Sequence, residues 1–504
     1  VTAEWLDPCL DAAQMREDDR WAIEDRGISS LELMETAGMA LAERAASLAG
    51  SEKRILVVCG KGNNGGDGLV AARVLRERGH QVETVLVGGT DGITPDSQVN
   101  LDRLGPVVEV ADGRIGALLS EAEVAVDAIF GTGFAGEPRD AAAAAISSLN
   151  DSNSSVVSAD IASGVNASTG EIAGEAVKAD ATVTFHLSKI GHWIAPGKWV
   201  CGDLAVAPIG IPDDAPAAAY AGLISDRVLA APPARGSESN KFTSGQVVIC
   251  GGSRGLTGAV CMSATAAVRS GAGYATVVVP AELAQIFEIK LTEVMSVGCP
   301  SREGFFRGAA EEQMVAACEG ADAIVFGPGL GREPSLERLA RNLLPRFSAP
   351  LVVDADAFQA LSGKLGLLSD RRQATVLTPH AGELARLLEV DSAQVSEHRL
   401  ESAMEAARQS GSVVVFKGDD TIVTDGEKVA INPYSTPALA TAGTGDVLSG
   451  MIGAMLARGL DTFESACVAV KAHARAGIAA AKRVGVDSVI ASDVLEEIPG
   501  GLSR

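Results

Sequence analysis

The residue types best able to do chemistry sit in two glycine-rich turns, each leading into an apolar helix. Residues 60–68 read GKGNNGGDG, between the β-rich run ILVVC and the helical run LVAARVLRERG. Glycines there allow positive φ and close backbone approach, and the helix N-terminus offers unpaired N–H groups to a dinucleotide phosphate. The spacing is neither GxGxxG nor a Walker-type loop, so a structural turn is the competing reading. Residues 440–450, ATAGTGDVLSG, carry the sharper signal. There the N–H groups of Gly443, Thr444 and Gly445 can form an anion hole at a positive helix end, with Asp446 in the first turn as proton acceptor for phosphoryl transfer. An Asp placed there only because the helix dipole favours it is the plain alternative.

Other polar residues close apolar runs, where an open parallel sheet holds its ligands. Asp127 stands in VDAIFGTGF and Asp160 in SADIASG. With Asn64 and Ser163 they offer only oxygen, which suits a hard cation better than zinc; each Asp could equally cap its loop. His380 ends the run ATVLTPH ahead of a helical stretch, the position of a site residue more than of a core histidine. Asp354 and Asp356 in VVDADA read as supporting or loop-capping carboxylates.

The chain has 504 residues, enough for about three domains or two larger ones. After roughly 50 helical residues, β-rich runs at 55–59, 82–87, 123–130, 154–161 and 181–185 alternate with helical ones, which implies crossovers and a mostly parallel sheet. A second series follows: QVVICGG, YATVVVP, ADAIVFGPG, APLVVDADA, ATVLTPH, SVVVFKG and TIVTDG. Between the two, residues 211–240 have the Pro, Gly, Ser and mixed charge of a linker. The expectation is an α/β fold of two three-layer domains, 1–215 and 222–504.

The net charge is −23 with no basic cluster, so nucleic acid is excluded as a partner. Eight scattered cysteines without CxxC pairs read as core thiols in a reducing cytosol. With an acidic start and no apolar run of about 18 residues, no export or membrane association is expected, and the location is read as cytoplasmic. A homo-oligomer acting on small molecules is expected.

The segments MExAG (34–38), GNNGGDG, DAIFGTG, DIxSG and KIGHWIAPGKWVCGDLAVAPIGIP resemble the YjeF-type N-terminal domain, an NAD(P)H-hydrate epimerase of Rossmann-like form, over residues 10–212. That resemblance implies that Asn63, Asn64, Gly65, Gly66 and Asp67, together with Gly131, Thr132, Gly133, Phe134, Ala135, Gly136 and Glu137, bind the hydrated dinucleotide. It implies potassium on Asn64, Asp127 and Ser163, and substrate contact at Asp160. Asp160 is also the choice for proton transfer, since epimerising a hydroxyl-bearing ring carbon needs an acid–base group within reach. Ala162 stands where the family usually has proline, which frees φ ahead of Ser163.

In the second half GGSRGLTGA, FGPGLG, VVDADA, TPHAGELARLL, VFKGDDT and AGTGDVLSG, in that order, resemble the ribokinase-like ADP-dependent NAD(P)H-hydrate dehydratases over residues 225–495. Carried over, Lys417, Gly418, Asp419, Asp420, Thr421 and Gly445 bind the adenine nucleotide, while Ala259, Gly329, His380 and Asp446 bind the hydrate. ADP is the implied co-substrate, with magnesium on its phosphates, and Asp446 the implied base. Together the halves imply repair of hydrated NADH and NADPH. The alternative is a small-molecule kinase of the thiamin-precursor type with a non-catalytic scaffold in front.

Overall fold

Runs of β-branched residues alternate with small-residue helices along the chain. In the computed structural model, which describes residues 3–49, 54–110 and 114–504, they become two largely parallel sheets clothed by helices. The chain divides into two compact units, Pro8–Gly222 and Leu223–Arg504, with Ala3–Asp7 counted in the second. No helix among the described residues is long and apolar enough to cross a membrane.

Among the described residues the first unit's sheet has seven strands, ordered Val108–Val110, Gln81–Val87, Arg54–Cys59, Val124–Ala128, Ser155–Ala159, Ala181–Phe185 and Asp203–Ala207. Every pairing is parallel. The central strands are buried on both faces, which is why they read as continuous apolar runs rather than alternating ones. Asp203–Ala207 is mostly exposed at the edge, and its sequence gives no comparable run.

The glycines of residues 60–68 serve packing more than turning. None of them has a positive φ, contrary to the expectation from composition. A Cβ on Gly68 would stand 2.6 Å from that of Ala128 and 2.8 Å from the Cys59 sulfur; one on Gly65 would stand 1.9 Å from the Gly60 carbonyl oxygen. Helix Asn63–Glu77 therefore lies hard against its sheet because these positions lack side chains.

Among the described residues the larger sheet runs Leu6–Cys9, Ala221–Ile224, Val429–Ile431, Ile422–Thr424, Val413–Phe416, Thr375–Leu377, Leu351–Val353, Ala323–Phe326, Gln246–Cys250, Tyr274–Pro280 and Met295–Cys299. Pairings from Val413–Phe416 through Met295–Cys299 are parallel, and the two hairpin pairings on the other side are antiparallel. Residues 211–240 are thus not linker throughout. Ala221 and Ile224 are buried in the sheet, and Val228 and Leu229 are buried in the short turn Asp226–Ala230.

Helix Thr444–Ala457 is apolar nearly all round and buried along its length, as such helices must be. A Cβ on Gly450 would fall 2.0 Å from the Ser263 carbonyl oxygen, so this glycine sets how closely helix Thr257–Arg269 packs on it.

Candidate active sites

The first unit's site begins at the crossover of its sheet. Strands Arg54–Cys59 and Val124–Ala128 are neighbours, but the chain leaves them toward opposite edges, which opens a crevice at their carboxyl ends. Helix Asn63–Glu77 starts there, with Gly62 as N-cap and no side chain capping it, so first-turn N–H groups remain for a ligand.

Asn64 is buried, and its Nδ2 donates to the Phe130 carbonyl at 2.8 Å. Its Oδ1 is buried without a hydrogen-bond partner among the described residues. Asp127 is fully buried: Oδ1 accepts from the Ser163 hydroxyl at 2.6 Å, and Oδ2 accepts from the Ser158 hydroxyl at 2.8 Å and the Ser163 N–H at 2.9 Å. The Ser163 hydroxyl accepts from the Phe130 N–H at 2.8 Å, so Phe130 ties this pair to Asn64. Burial raises the Asp127 carboxyl above its ordinary value, against the pull of these donors. An orphaned amide oxygen tied through Phe130 and Ser163 to a buried carboxylate offers oxygen donors of the kind a hard cation takes. These bonds hold the buried Ser163 without a proline before it.

Asp160 follows strand Ser155–Ala159 with φ at +62°, a left-handed conformation that Asp tolerates better than most residues. Its carboxylate is crowded with donors. Lys189 Nζ lies 2.6 Å from Oδ1, the Thr184 hydroxyl 3.2 Å from the same oxygen, and the N–H and hydroxyl of Thr132 both reach Oδ2. Burial alone would push this carboxyl up, but the charge and hydrogen bonds of Lys189, with Thr132, hold it at about 2. The Lys189 N–H donates to His192 Nδ1 at 2.9 Å, so the imidazole proton lies on Nε2, which faces the Asp160 carbonyl at 2.9 Å. Burial and the Lys189 charge lower His192 to about 4, in keeping with that neutral ring.

A cavity of about 910 Å³ joins these parts, of a size for a dinucleotide. Asn63, Asn64, Asp67, Asp160 and residues 131–135 line it, with Arg16, Lys61 and Arg139 also on its wall. Of the expected binding residues, Gly65, Gly66, Gly136 and Glu137 lie outside the lining. A Cβ on Gly66 would stand 2.6 Å from the Met34 sulfur, so that glycine serves packing.

The second unit has its own crossover, between Gln246–Cys250 and Ala323–Phe326. The loops after these strands meet: Gly329 has φ of +59°, and a Cβ there would come within 3.2 Å of the Ala259 Cβ. Gly443 caps Thr444–Ala457 at φ 94°, again with no side-chain cap, so N–H groups at this positive end stay open.

Lys417 follows strand Val413–Phe416, and its ammonium lies 3.3 Å from where a Cβ on Gly445 would be. A cation held against a positive helix end needs negative charge nearby. Asp354 provides it at 3.3 Å and Glu383 at 3.9 Å, while Asp354 also accepts from the Thr378 hydroxyl at 2.7 Å. Burial works to lower the Lys417 ammonium, but Asp354 and Glu383 outweigh it and leave it raised. Burial, with Asp354, Asp356 and Glu383, pushes the Asp446 carboxyl up to about 7 against the pull of Lys417.

His380 caps helix Ala381–Leu388. Its Nδ1 accepts from the N–H groups of Gly382 and Glu383 at 3.0 and 3.3 Å, and Glu383 completes the reciprocal capping box. The ring proton is therefore on Nε2. Asp356 accepts from the Gly331 N–H and Arg332, the loop-holding role its position suggests. Asp420 departs from the expected nucleotide contact: its buried carboxylate is gripped by Arg399 at 2.8 and 2.5 Å. Thr421 closes the same turn by donating to the Gly418 carbonyl, and Gly418 and Asp419 are exposed on it.

Residues 247–500 match the NAD(P)H-hydrate dehydratase family model, and residues 30–191 match that of the YjeF-related protein N-terminus. The bifunctional NAD(P)H-hydrate repair enzyme Nnr of Moorella thermoacetica is 38% identical, over 97% of this chain and 95% of its own. That of Salinibacter ruber is 36% identical, over 98% and 95%. This chain belongs to the bifunctional NAD(P)H-hydrate repair enzyme family. A solved ADP/ATP-dependent NAD(P)H-hydrate dehydratase from Bacillus subtilis, co-crystallised with ATP and Mg²⁺, is 27% identical over 55% of this chain and 95% of that one, at a TM-score of 0.48. The two family matches take in all the candidate residues of the two sites.

Sequence reasoning missed Lys189, Thr184, His192, Glu383 and Arg399. Lys189 opens the motif KIGHWIAPGKW, and a lone cation at the edge of an apolar run is a signal of burial with a partner. Glu383, three residues after His380, has capping-box spacing.

Proposed function

We propose that the chain repairs hydrated NADH and NADPH. The first unit interconverts the R and S hydrates. The second dehydrates the S hydrate with ADP, yielding NAD(P)H, AMP and phosphate. The observation that carries this reading is Asp446 at the uncapped N-terminus of Thr444–Ala457 beside Lys417, in a chain whose other half holds an acid–base carboxylate in a cavity of its own.

In the second unit, Asp446 takes the proton of the hydrate's hydroxyl as that oxygen attacks the β-phosphorus of ADP and AMP departs. Gly443, Thr444, Gly445 and Lys417 receive the charge on the transferred group. Phosphate then leaves the ring carbon, the adjacent carbon loses a proton, and the dihydropyridine is restored. Magnesium accompanies the ADP phosphates and neutralises part of their charge. The turn 417–421 receives the adenine nucleotide, the Asp420 carboxylate acting through its grip on Arg399.

In the first unit, Asp160, ionised by Lys189, accepts and returns a proton at the oxygen on the epimerised ring carbon, with Thr132 fixing its orientation. Asn64, Asp127 and Ser163 would hold potassium, which supplies fixed positive charge near an anionic substrate; the unpartnered Asn64 Oδ1 supports this. Eight free thiols suit the reducing cytoplasm, and we take the chain to act there as a homo-oligomer.

The test is purified protein with S hydrate and ADP. The proposal expects absorbance at 340 nm to recover while AMP and phosphate form in equal amounts. A stable phosphorylated product made from ATP would instead indicate a kinase.

A further inference from the structure

Two carboxyl groups of opposite surroundings line the first unit's cavity. Asp160 has an ammonium and two threonines on it. Asp67, in the second turn of Asn63–Glu77, is equally buried, yet among the described residues its carboxyl accepts no hydrogen bond and has no cation within 4 Å. The charged groups that share the cavity wall and act on it are Asp160, Asp19 of helix Ala12–Glu24 and Lys189, whose ammonium is paired with Asp160; Asp67 in turn acts on the Cys59 thiol. Burial comes first in raising Asp67 well above the ordinary carboxylate range, and the charges of Asp160 and Asp19 add to it. The helix dipole opposes this, but it fades beyond the first turn. Two carboxyls in one cavity whose environments drive them apart are the usual basis of an acid–base pair.

We propose that Asp67 is the proton donor that works with Asp160 in epimerisation. This rests on the epimerase reading above. Asp67 gives its proton to the hydroxyl on the ring carbon; the carbon–oxygen bond breaks, water leaves, and the ring nitrogen's lone pair forms a carbon–nitrogen double bond. Water then adds to the other face of that carbon, the electron pair returns to nitrogen, and Asp160 takes the proton of the adding water. The proton passes back to Asp67 through cavity water, and the reverse reaction exchanges the faces.

The test follows R and S hydrates by chiral separation, corrected for spontaneous epimerisation, in wild type, Asp67→Asn and Asp67→Glu. Asp67→Asn should lose about 10²- to 10⁴-fold in epimerisation in both directions. Its thermal unfolding and the ADP-dependent dehydration of the second unit should stay as in wild type, and Asp67→Glu should recover part of the rate. Because Asp67 must carry its proton, the wild-type rate should fall as pH rises through the raised titration of Asp67. An Asp67→Asn protein within threefold of wild type would overturn the proposal. Should that variant not fold, an Asp67→Ser protein that folds and epimerises within threefold of wild type would overturn it equally. A wild type that does not interconvert the epimers at all would overturn the epimerase reading itself.

Discussion

Asp160 follows the carboxyl end of a parallel strand and Asp446 stands in the first turn of a helix, each at its own site, and their surroundings pull in opposite directions. Asp160 sits on a buried ammonium at 2.6 Å and is held at about 2. Asp446 stands among Asp354, Asp356 and Glu383, with one ammonium shared among them, and is pushed up to about 7. A side chain chosen as a base from its motif can thus be ionised at every working pH, or poised at neutrality. A base near pH 7 balances availability against proton affinity, which suits Asp446 to taking a proton from an alcohol. Asp160, held ionised, can accept a proton but has none to give, which is why the donor is assigned to a second carboxyl, Asp67.

The comparison breaks most visibly if Asp446 is changed. Asp446→Asn should cost about 10²- to 10⁴-fold in dehydration, with ADP affinity near normal because the N–H groups of residues 443–445 remain. Steady-state rates at 340 nm and equilibrium ADP binding check both halves of that statement.

Lys189→Met should act on the other site. It removes the counter-charge that ionises Asp160, so epimerisation should fall by about tenfold or more while dehydration is untouched. Breaking a buried ion pair this way costs about 3–5 kcal/mol, to be read in denaturant unfolding of the first unit. No loss of stability would mean that Asp160 simply takes up a proton at little cost.

The two carboxyls also predict different acid limbs. Asp446 must be ionised to accept a proton, so dehydration should fall roughly tenfold per unit as pH drops below about 7. Epimerisation has no such requirement down to about pH 2 for Asp160. Stability follows the same contrast. The depressed Asp160 contributes stability above its unfolded value of 3.8, lost as pH falls through 2; the raised Asp446 destabilises once pH passes from 3.8 toward 7 and beyond. Parallel pH–rate profiles for the two reactions would remove the distinction.

The smallest effect is ionic. Replacing potassium by a large organic cation should slow epimerisation several-fold, through the Asn64 Oδ1 site, and leave dehydration unchanged. Equal rates in both salts would remove the cation from the account.

Most of the scaffold is legible in the sequence, because strands buried on both faces are written as unbroken apolar runs. Strands that fail this test were not legible: Asp203–Ala207 is a solvated edge, and Ala221–Ile224 is four small or aliphatic residues within a stretch rich in proline. At the sites, Asp160, Asp446, Lys417 and His380 could be named from motifs, but not the neighbours that hold each of them. His380 holds a helix end, and Asp420 is occupied by an arginine 21 residues away. Lys189 lies 29 residues from Asp160, a spacing that carries no local signal, and only the fold brings the two together. Of the two reasons the sequence offers for the glycines of residues 60–68, close approach holds and positive φ does not, and composition alone does not separate them.

The central claim is that one chain carries two separable chemistries, and Asp446→Asn supplied with pure S hydrate and ADP tests it most directly. Chiral separation should show R hydrate appearing at the wild-type rate while absorbance at 340 nm stays flat. Recovery of absorbance at the wild-type rate, or S hydrate that remains unchanged, would contradict it.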